Sequence, residues 1–330
     1  MEPAKDINVE FVSLEADGSA ETATTKLTLT FDKDIINLEA ADIALRQNST
    51  GTTIGDLIRI NKGVYELAVK DIKASGNITV SIEKYGYIIT EETKTVTVYC
   101  PPPNPKADIE AFIEEHWQEY GYSKKPTKYI ALSFDDGPSS VTQNLLNVLE
   151  GKKVKATFFL IGQNIRNNKT AVKAIFNKGH ELGNHSDGYS SLGSSPAETI
   201  TGSLTAASAA IKEITGNDTV LFRAPNVNYG DNLTRVCTEL NLAIIGVSVW
   251  SDDWQGIDTQ TIIANVVNNS FLKSGDGGII NCHELANTVI AVPDIIDGLR
   301  DKGFWIMTVG ELAIIKGVTL QPGTRYDSIR

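Results

Sequence analysis

Aspartate, histidine and arginine occur in this sequence in short clusters whose side chains could transfer protons or bind a metal ion. The clusters are Asp135-Asp136-Gly137-Pro138, His185-Ser186-Asp187, Arg223-Ala224-Pro225, Asp252-Asp253-Trp254 and His283-Glu284. Of two adjacent carboxylates, one can hold a metal ion while the other stays free as a general base. A histidine can serve as a metal ligand or a general acid near neutral pH. Taken singly, each cluster also has a structural interpretation, as a helix start or a hydrogen-bonded core residue.

The clusters follow predicted β-strands, and this placement favours the functional interpretation. With helical patterns in the gaps between them, strands are predicted at 129–134, 156–161, 181–184, 220–222, 243–249, 278–281 and 304–307. Seven strands that alternate with helices indicate a parallel α/β architecture, and a barrel closes that number more readily than an open sheet. Functional residues in parallel barrels lie at the C-terminal ends of the strands. Five of the seven ends carry a cluster, so the sequence predicts one site at one mouth of the barrel.

The 330 residues are enough for two domains, and the composition changes within the chain. Residues 1–100 alternate apolar and polar side chains with a period of two, as in Leu27, Leu29 and Phe31, which predicts an all-β immunoglobulin-like sandwich. Residues 101–124 are predicted to be a linker rich in proline, followed by an acidic helix. Residues 125–330 then form the α/β domain. No chemistry is visible in the first domain, for which a spacer role is favoured over carbohydrate binding.

Charge and composition exclude several classes of function. The chain has 30 Lys and Arg against 41 Asp and Glu, a net charge of −11, which repels nucleic acid. No apolar run reaches the roughly 18–20 residues that a membrane span needs. Three cysteines, without a Cys-x-x-Cys pair, provide neither a disulfide framework nor a thiolate zinc site. The first residues do not read as a signal peptide, so either the protein is cytoplasmic or its export signal is missing from this sequence.

The α/β half resembles the polysaccharide deacetylases of carbohydrate esterase family 4, or NodB-homology domains, over roughly residues 125–320. The segments that carry the resemblance are Ser133-Phe134-Asp135-Asp136-Gly137, Ala156-Thr157-Phe158-Phe159, Gly179-His180-Glu181-Leu182-Gly183-Asn184-His185-Ser186, Phe222-Arg223-Ala224-Pro225, Asp253-Trp254 and Ile279-Ile280-Asn281-Cys282-His283-Glu284. Their order and spacing together are specific, although each motif is short. The family fold that this implies is a distorted (β/α)7 barrel.

The resemblance also implies a role for each motif residue. Asp135 would be the general base, and Arg223 would pair with it. His283 would be the general acid, with its protonation tuned by Asp253. The metal ligands would be Asp136 and His185. Residues in contact with the substrate would be Pro225, Asn226 and Trp254, with the backbone of the Pro225–Asn226 segment stabilising an oxyanion.

This sequence departs from the family pattern at several positions. The family usually has a second histidine four residues after the first, where this chain has Tyr189, a neutral phenol that is a poor metal ligand. Trp250 stands where an aspartate is usual, and Asn281 where a leucine is usual. A subgroup that resembles clostridial acetylxylan esterases shares the missing histidine and aspartate and has an asparagine that matches Asn226. Trp250, Trp254 and Tyr229 could stack on sugar rings.

The resemblance therefore predicts a hydrolase that depends on one divalent metal ion, zinc or cobalt, and removes acetyl groups from a polysaccharide. O-acetyl groups of xylan are favoured, since an ester tolerates a weaker metal site than an amide does. N-acetyl groups of chitin fragments or peptidoglycan are the alternative, and a sugar-binding pseudoenzyme is the alternative of another class. We expect a secreted or cell-surface monomer with no nucleic-acid partner.

Overall fold

The structure is a computed structural model that describes residues 7–19, 22–100 and 104–330. It divides the chain into two compact units, Met1–Asn104 and Pro105–Arg330. Three of the four clustered prolines, at 101–103, and the first residues lie outside the described residues. Within the described part of the chain, no helix is long and apolar enough to cross a membrane. Each unit is described below on its own.

The first unit consists of β-strands in two sheets. The strands are β1 (Ile7–Ala16), β2 (Lys26–Phe31), β3 (Ile43–Arg46), β4 (Thr53–Asn61), β5 (Val64–Lys70), β6 (Gly76–Ile82), β7 (Tyr87–Thr90) and β8 (Thr93–Val98). One sheet has the order β4-β5-β2-β1-β7 and the other β3-β6-β8. Neighbouring strands are antiparallel except for β1 and β7.

Alternation of side chains builds one core between these two sheets. In β2, Leu27, Leu29 and Phe31 are buried while the threonines between them are only partly covered, as the period of two predicts. They share a hydrophobic cluster with Ile78 and Val80 of the other sheet. The arrangement is that of an all-β sandwich. Its assignment to the immunoglobulin type stays a prediction.

The second unit alternates strands and helices. Its strands are β9 (Lys128–Gly137), β10 (Thr157–Leu160), β11 (Glu181–Asn184), β12 (Leu221–Phe222), β13 (Ala243–Ile245), β14 (Val249–Trp250), β15 (Gly278–His283), β16 (Phe304–Met307) and β17 (Arg325–Tyr326). Its helices are α1 (Pro105–His116), α2 (Thr142–Gly151), α3 (Gly162–Asn167), α4 (Lys169–Asn177), α5 (Ala197–Thr215), α6 (Asp231–Glu239), α7 (Thr259–Val267), α8 (Phe271–Ser274), α9 (Ala286–Asp301) and α10 (Val309–Lys316).

The strands of this unit form one parallel sheet that curls into a half-barrel, consistent with the expected (β/α)7 fold. The order is β14-β15-β9-β10-β11-β12-β13-β17, and β16 pairs with the first residues of β9. The C-terminal segment passes between the two edges of the curl. β17 pairs with β13, and Ser328 then forms a bridge with Gly278 of β15.

The central strand β9 shows how the sheet positions polar groups inside the curl. Ile130, Leu132 and Phe134 belong to the cluster packed against the surrounding helices. Because side chains alternate along a strand, Ser133 and Asp135 point to the opposite, interior side. All are buried, as is usual for a parallel strand covered on both faces.

The predicted elements differ from the observed ones in three places. The strand predicted at 243–249 is two strands, since the carbonyl groups of Ile245 and Gly246 accept hydrogen bonds from Arg223 instead of from a neighbouring strand. The acidic helix predicted within residues 101–124 runs from Pro105 to His116 and packs through Ile113 in a core of the second unit. No pattern predicted β17, a strand of only two residues.

Candidate active site

A cavity of about 520 Å³ lies at the C-terminal ends of the parallel strands. Nine of the eleven predicted site residues line it. They are Asp135, Asp136, His185, Tyr189, Pro225, Asn226, Trp250, Trp254 and His283. The other two, Arg223 and Asp253, lie behind the cavity and contact Asp135 and His283. The structure thus brings all the predicted side chains together, as the strand-end rule requires.

Arg223 and Asp135 form a buried ion pair in the interior of the curl. Arg223 Nη1 donates to Asp135 Oδ1 at 2.7 Å, and the two side chains are 1% and 5% exposed. The remaining guanidinium nitrogens donate to the carbonyl oxygens of Ile245 and Gly246, and the guanidinium lies 4.1 Å from the ring centroid of Phe159. A charge this deeply buried needs such a complete set of partners. The pair fixes the carboxylate of Asp135 at the floor of the cavity.

Two further polar side chains complete the surroundings of Asp135. Asn281 Nδ2 donates to Asp135 Oδ2 at 2.7 Å. Ser133 Oγ accepts from Arg223 Nη1 at 2.8 Å and donates to the carbonyl oxygen of Ile280 at 2.5 Å. In the sequence, Asn281 stands out only as a departure from the family pattern, and Ser133 does not stand out as a site residue. The period of two along β9 could have placed Ser133 beside Asp135.

His283 and Asp253 form a second pair at the rim of the cavity. His283 Nδ1 lies 2.7 Å from Asp253 Oδ1, and Asp253 Oδ2 accepts from the His283 backbone N–H at 2.7 Å and from Thr288 Oγ1 at 2.5 Å. Burial lowers the pKa of His283, but the hydrogen bond to Asp253 and the charges of Asp135, Asp253 and Asp136 outweigh it and raise that pKa. For Asp253, burial raises the pKa, but the hydrogen bonds and charge of His283 lower it overall.

His185 and Asp136 face each other on the other side of the cavity. His185 Nδ1 donates to the carbonyl oxygen of Arg223 at 2.8 Å, and a carbonyl can only accept. With Nδ1 engaged in this bond, Nε2 is the nitrogen left to bind a cation, and it lies 3.3 Å from Asp136 Oδ1. Two atoms that each bind the same ion at about 2.0–2.2 Å lie about as far apart as Nε2 and Oδ1 do here. These two side chains fit a divalent cation.

Tyr189 and the loop around it do not add a third ionised ligand. Tyr189 is 61% exposed at the cavity, and burial together with the charge of Asp136 raises the pKa of its phenol. Asp187 turns away to a bidentate ion pair with Arg166 at 2.7 and 2.9 Å. Among the described residues, no group of three or more His, Cys, Asp or Glu side chains could hold a metal ion. Solvent would have to complete the coordination.

The aromatic side chains divide into two groups. Trp254 is 62% exposed and lines the cavity with the half-buried Trp250. Tyr229 is different: the Arg325 guanidinium lies 4.1 Å from its ring centroid, and its hydroxyl is buried. Of the two roles open to Tyr229, these contacts favour packing over stacking on a sugar. The C-terminal segment, which no sequence pattern marked, covers it.

Left-handed backbone conformations occur at three residues that line the cavity, one at the end of β9 and two in the turn after β12. Asp136 has φ of +72°, Asn226 +54° and Val227 +50°. Such values are uncommon outside glycine, and a β-branched residue such as Val227 rarely adopts them. Strain of this kind is often found at functional sites.

Comparisons with known proteins agree with this geometry. A family model described as polysaccharide deacetylase matches residues 122–245. A bifunctional xylanase/deacetylase from Pseudobutyrivibrio xylanivorans is 36% identical over 210 residues, which are 62% of this chain and 33% of that protein. The peptidoglycan-N-acetylglucosamine deacetylase PgdA of Listeria monocytogenes is 29% identical over 314 residues, 88% of this chain and 64% of the relative. The chain thus spans between a third and two thirds of these two relatives.

A solved structure shows the same fold. The family 4 acetyl xylan esterase from Clostridium thermocellum, in complex with a cobalt ion, is 31% identical and matches with a TM-score of 0.57. The match covers 61% of this chain and 99% of that one. Sequence, fold and site geometry therefore agree, and the chain belongs to the polysaccharide deacetylase family, carbohydrate esterase family 4.

Proposed function

We propose that this protein hydrolyses acetyl esters on a polysaccharide, with O-acetylated xylan as the substrate. The observation that carries the proposal is the pair of hydrogen-bonded dyads on one cavity, Asp135 with Arg223 and His283 with Asp253. A site that only binds sugar has no need of a held carboxylate and a held imidazole that face the same space. Support for xylan comes from two relatives, one named as a xylanase/deacetylase and one as an acetyl xylan esterase.

In the proposed reaction, Asp135 accepts a proton from the water molecule whose oxygen attacks the acetyl carbon. Arg223 balances the charge of this carboxylate, and the backbone N–H of Asn226 would donate to the oxyanion. His283 uses Nδ1 to bind Asp253, so Nε2 is the nitrogen left for the substrate. It donates its proton to the sugar oxygen as the bond from carbon to that oxygen breaks. Acetate and a free sugar hydroxyl are the products, and both residues exchange protons with solvent afterwards.

Asp136 and His185 would hold one divalent cation beside these groups. A cation there would lower the pKa of water and polarise a carbonyl oxygen. With only two protein ligands, we expect the ion to exchange readily with solution. Zinc and cobalt suit a histidine and a carboxylate, and a cobalt ion is present in the structure of the acetyl xylan esterase.

The substrate polymers lie outside cells, so we propose that the protein acts there as a secreted or surface enzyme. The first unit offers no comparable cluster among its described residues, and we propose that it is an immunoglobulin-like spacer. Acetylated peptidoglycan is the second candidate substrate, because the match to the Listeria deacetylase extends over 88% of this chain.

Acetate release from acetylxylan by the metal-stripped protein, before and after addition of zinc or cobalt, tests the proposal. We expect release to return with the metal and to fall by about 10²–10⁴-fold in Asp135→Asn, the range typical of a lost general base. The same assay on N-acetylated peptidoglycan fragments separates the two substrates. Binding of either polymer without any acetate release would instead favour the pseudoenzyme and overturn the proposal.

A further inference from the structure

Asn281 is a buried side chain in the active site to which the family pattern assigns no role. It lies on β15, opposite Ser133 of β9 in the parallel register, and is 2% exposed. A carboxylate can only accept hydrogen bonds, so the amide nitrogen of Asn281, and not its oxygen, must face Asp135. The hydrogen bonds of the described residues give this side chain one partner, Asp135 Oδ2 at 2.7 Å. Asn281 also lines the cavity, and among the described residues its one hydrogen-bond partner there is the base.

The contact completes a clamp on the proposed base. Arg223 holds Oδ1 of Asp135 and Asn281 holds Oδ2, each at 2.7 Å. Rotation of the carboxylate about its Cβ–Cγ bond would break one or both of these bonds. Oδ2 is the oxygen that faces the ligand pair, at 4.0 Å from His185 Nε2. The orientation of the oxygen nearest the reacting groups therefore depends on Asn281 as well as on Arg223.

We infer that Asn281 is a positioning residue, which acts through Asp135 and fixes the direction in which Oδ2 accepts a proton. The inference rests on the proposed function, in which Asp135 is the base. In a protein with leucine at this place, Arg223 alone would orient the carboxylate. Here a second donor shares that task. Misalignment of a reacting group slows the chemical step more than it weakens binding of the substrate.

The test is Asn281→Leu, which installs the residue usual in the family at similar volume, with Asn281→Ala as a second variant in case leucine does not pack. A hydrogen bond to a charged group has an effect of about 10- to 100-fold when it is lost. We expect kcat on acetylxylan to fall by about that factor and KM to stay within about twofold, since positioning affects the chemical step. The KM-against-kcat split distinguishes positioning from general loosening of the site.

A matched control separates this effect from loss of stability. Thr157 is buried at the opposite, N-terminal end of β10, and its Oγ1 donates to a carboxylate oxygen of Glu181 over the same 2.7 Å. The same Oγ1 accepts from the Val309 backbone N–H at 2.9 Å, so Thr157→Val removes two hydrogen bonds, neither of them at the cavity. We expect it to lower the unfolding midpoint while kcat stays within about twofold of the parent.

Combination with Asp135→Asn completes the test. If Asn281 acts through Asp135, Asn281→Leu will lower the residual kcat of Asp135→Asn no further, because the group that it positions is gone. Full additivity, or an Asn281→Leu protein with the parent kcat, would overturn the inference. Absence of acetate release by the unaltered protein on every substrate would contradict the proposed function instead, so the two failures are distinguishable.

Discussion

The two dyads of the active site have hydrogen bonds of the same length, but the more deeply buried member is the cation in one and the carboxylate in the other. Arg223 and Asp135 are 1% and 5% exposed, whereas His283 and Asp253 are 16% and 0% exposed. In each pair the more exposed member lines the cavity: the carboxylate in the first pair and the imidazole in the second. The buried member in each case supplies the opposite charge. Burial thus indicates which group reacts and which group holds it.

This difference implies that replacement of His283 and replacement of Asp135 slow the hydrolysis of different sets of substrates. Replacement of His283 by asparagine removes the proton donor, and we expect acetate release from acetylxylan to fall by about 10²–10⁴-fold. With 4-nitrophenyl acetate the leaving group departs without a proton, so the loss should be below about tenfold. Asp135→Asn, in contrast, should be slow on both substrates. Steady-state rates on the two esters make the comparison, and equal losses for both variants on both esters would contradict the division of roles.

The buried guanidinium of Arg223, in the first dyad, should have the largest effect on stability. Arg223→Met leaves the Asp135 carboxylate buried without its counter-charge, and we expect the free energy of unfolding to fall by about 3–5 kcal/mol. The surface pair of Arg235 with Glu239, whose side chains are 57% and 54% exposed, provides the control. Arg235→Met should change stability by no more than about 1 kcal/mol.

Denaturant unfolding curves of both proteins measure the difference. Equal destabilisation by the two substitutions would mean that burial does not distinguish the ion pairs. If Arg223→Met instead remained as stable as the parent and lost only activity, Arg223 would be dispensable as structural support for the floor of the cavity.

Much of this site could be predicted from the sequence because its signals are local. Asp135, His185 and His283 each lie just after the end of a predicted strand, and a parallel sheet brings such ends together. The contacts behind them are not local. Asn281 and Asp135 are 146 positions apart. The presence of an asparagine in a buried strand does not indicate which residue it will hydrogen-bond. Such partners are decided by the register of β15 against β9.

The fold was predictable to a similar extent, and its prediction failed at some elements for similar reasons. The long periodic segments, such as the interior strand β9 and the alternating strand β2, appear where the pattern predicts them. β17 has two residues, too few to show a period, and it forms only because the C-terminal segment reaches the open edge of β13. The same segment covers Tyr229, so the exposure of that ring could not be inferred from its type.

The second dyad should control the pH dependence of the reaction. His283 must carry a proton to act as an acid, so activity is lost as the pH rises through its pKa. Asp253 raises that pKa, and this extends activity to higher pH. In Asp253→Asn the negative charge is gone, the pKa of His283 falls, and we expect the alkaline limb of kcat to move to lower pH.

A neighbouring residue offers the control for this shift. Asp252 precedes Asp253 with a left-handed φ of +55°, which asparagine tolerates, and no side-chain contact joins it to His283 among the described residues. Asp252→Asn changes the net charge equally. An alkaline limb that moves by the same amount in both variants would assign the effect to overall charge and not to the dyad.

The smallest effect is expected at the aromatic wall of the cavity, outside both dyads. Trp254 is 62% exposed and its side chain takes no part in the hydrogen bonds of either dyad, so Trp254→Ala should leave the chemistry intact. Loss of a stacking surface is worth about 0.5–1.5 kcal/mol, which predicts a rise of about 2- to 12-fold in KM for acetylxylan at unchanged kcat. Tyr85 of the first unit, 98% exposed, is the matched aromatic control. A KM that rises in Tyr85→Ala and not in Trp254→Ala would locate sugar recognition in the first unit and remove Trp254 from the substrate site.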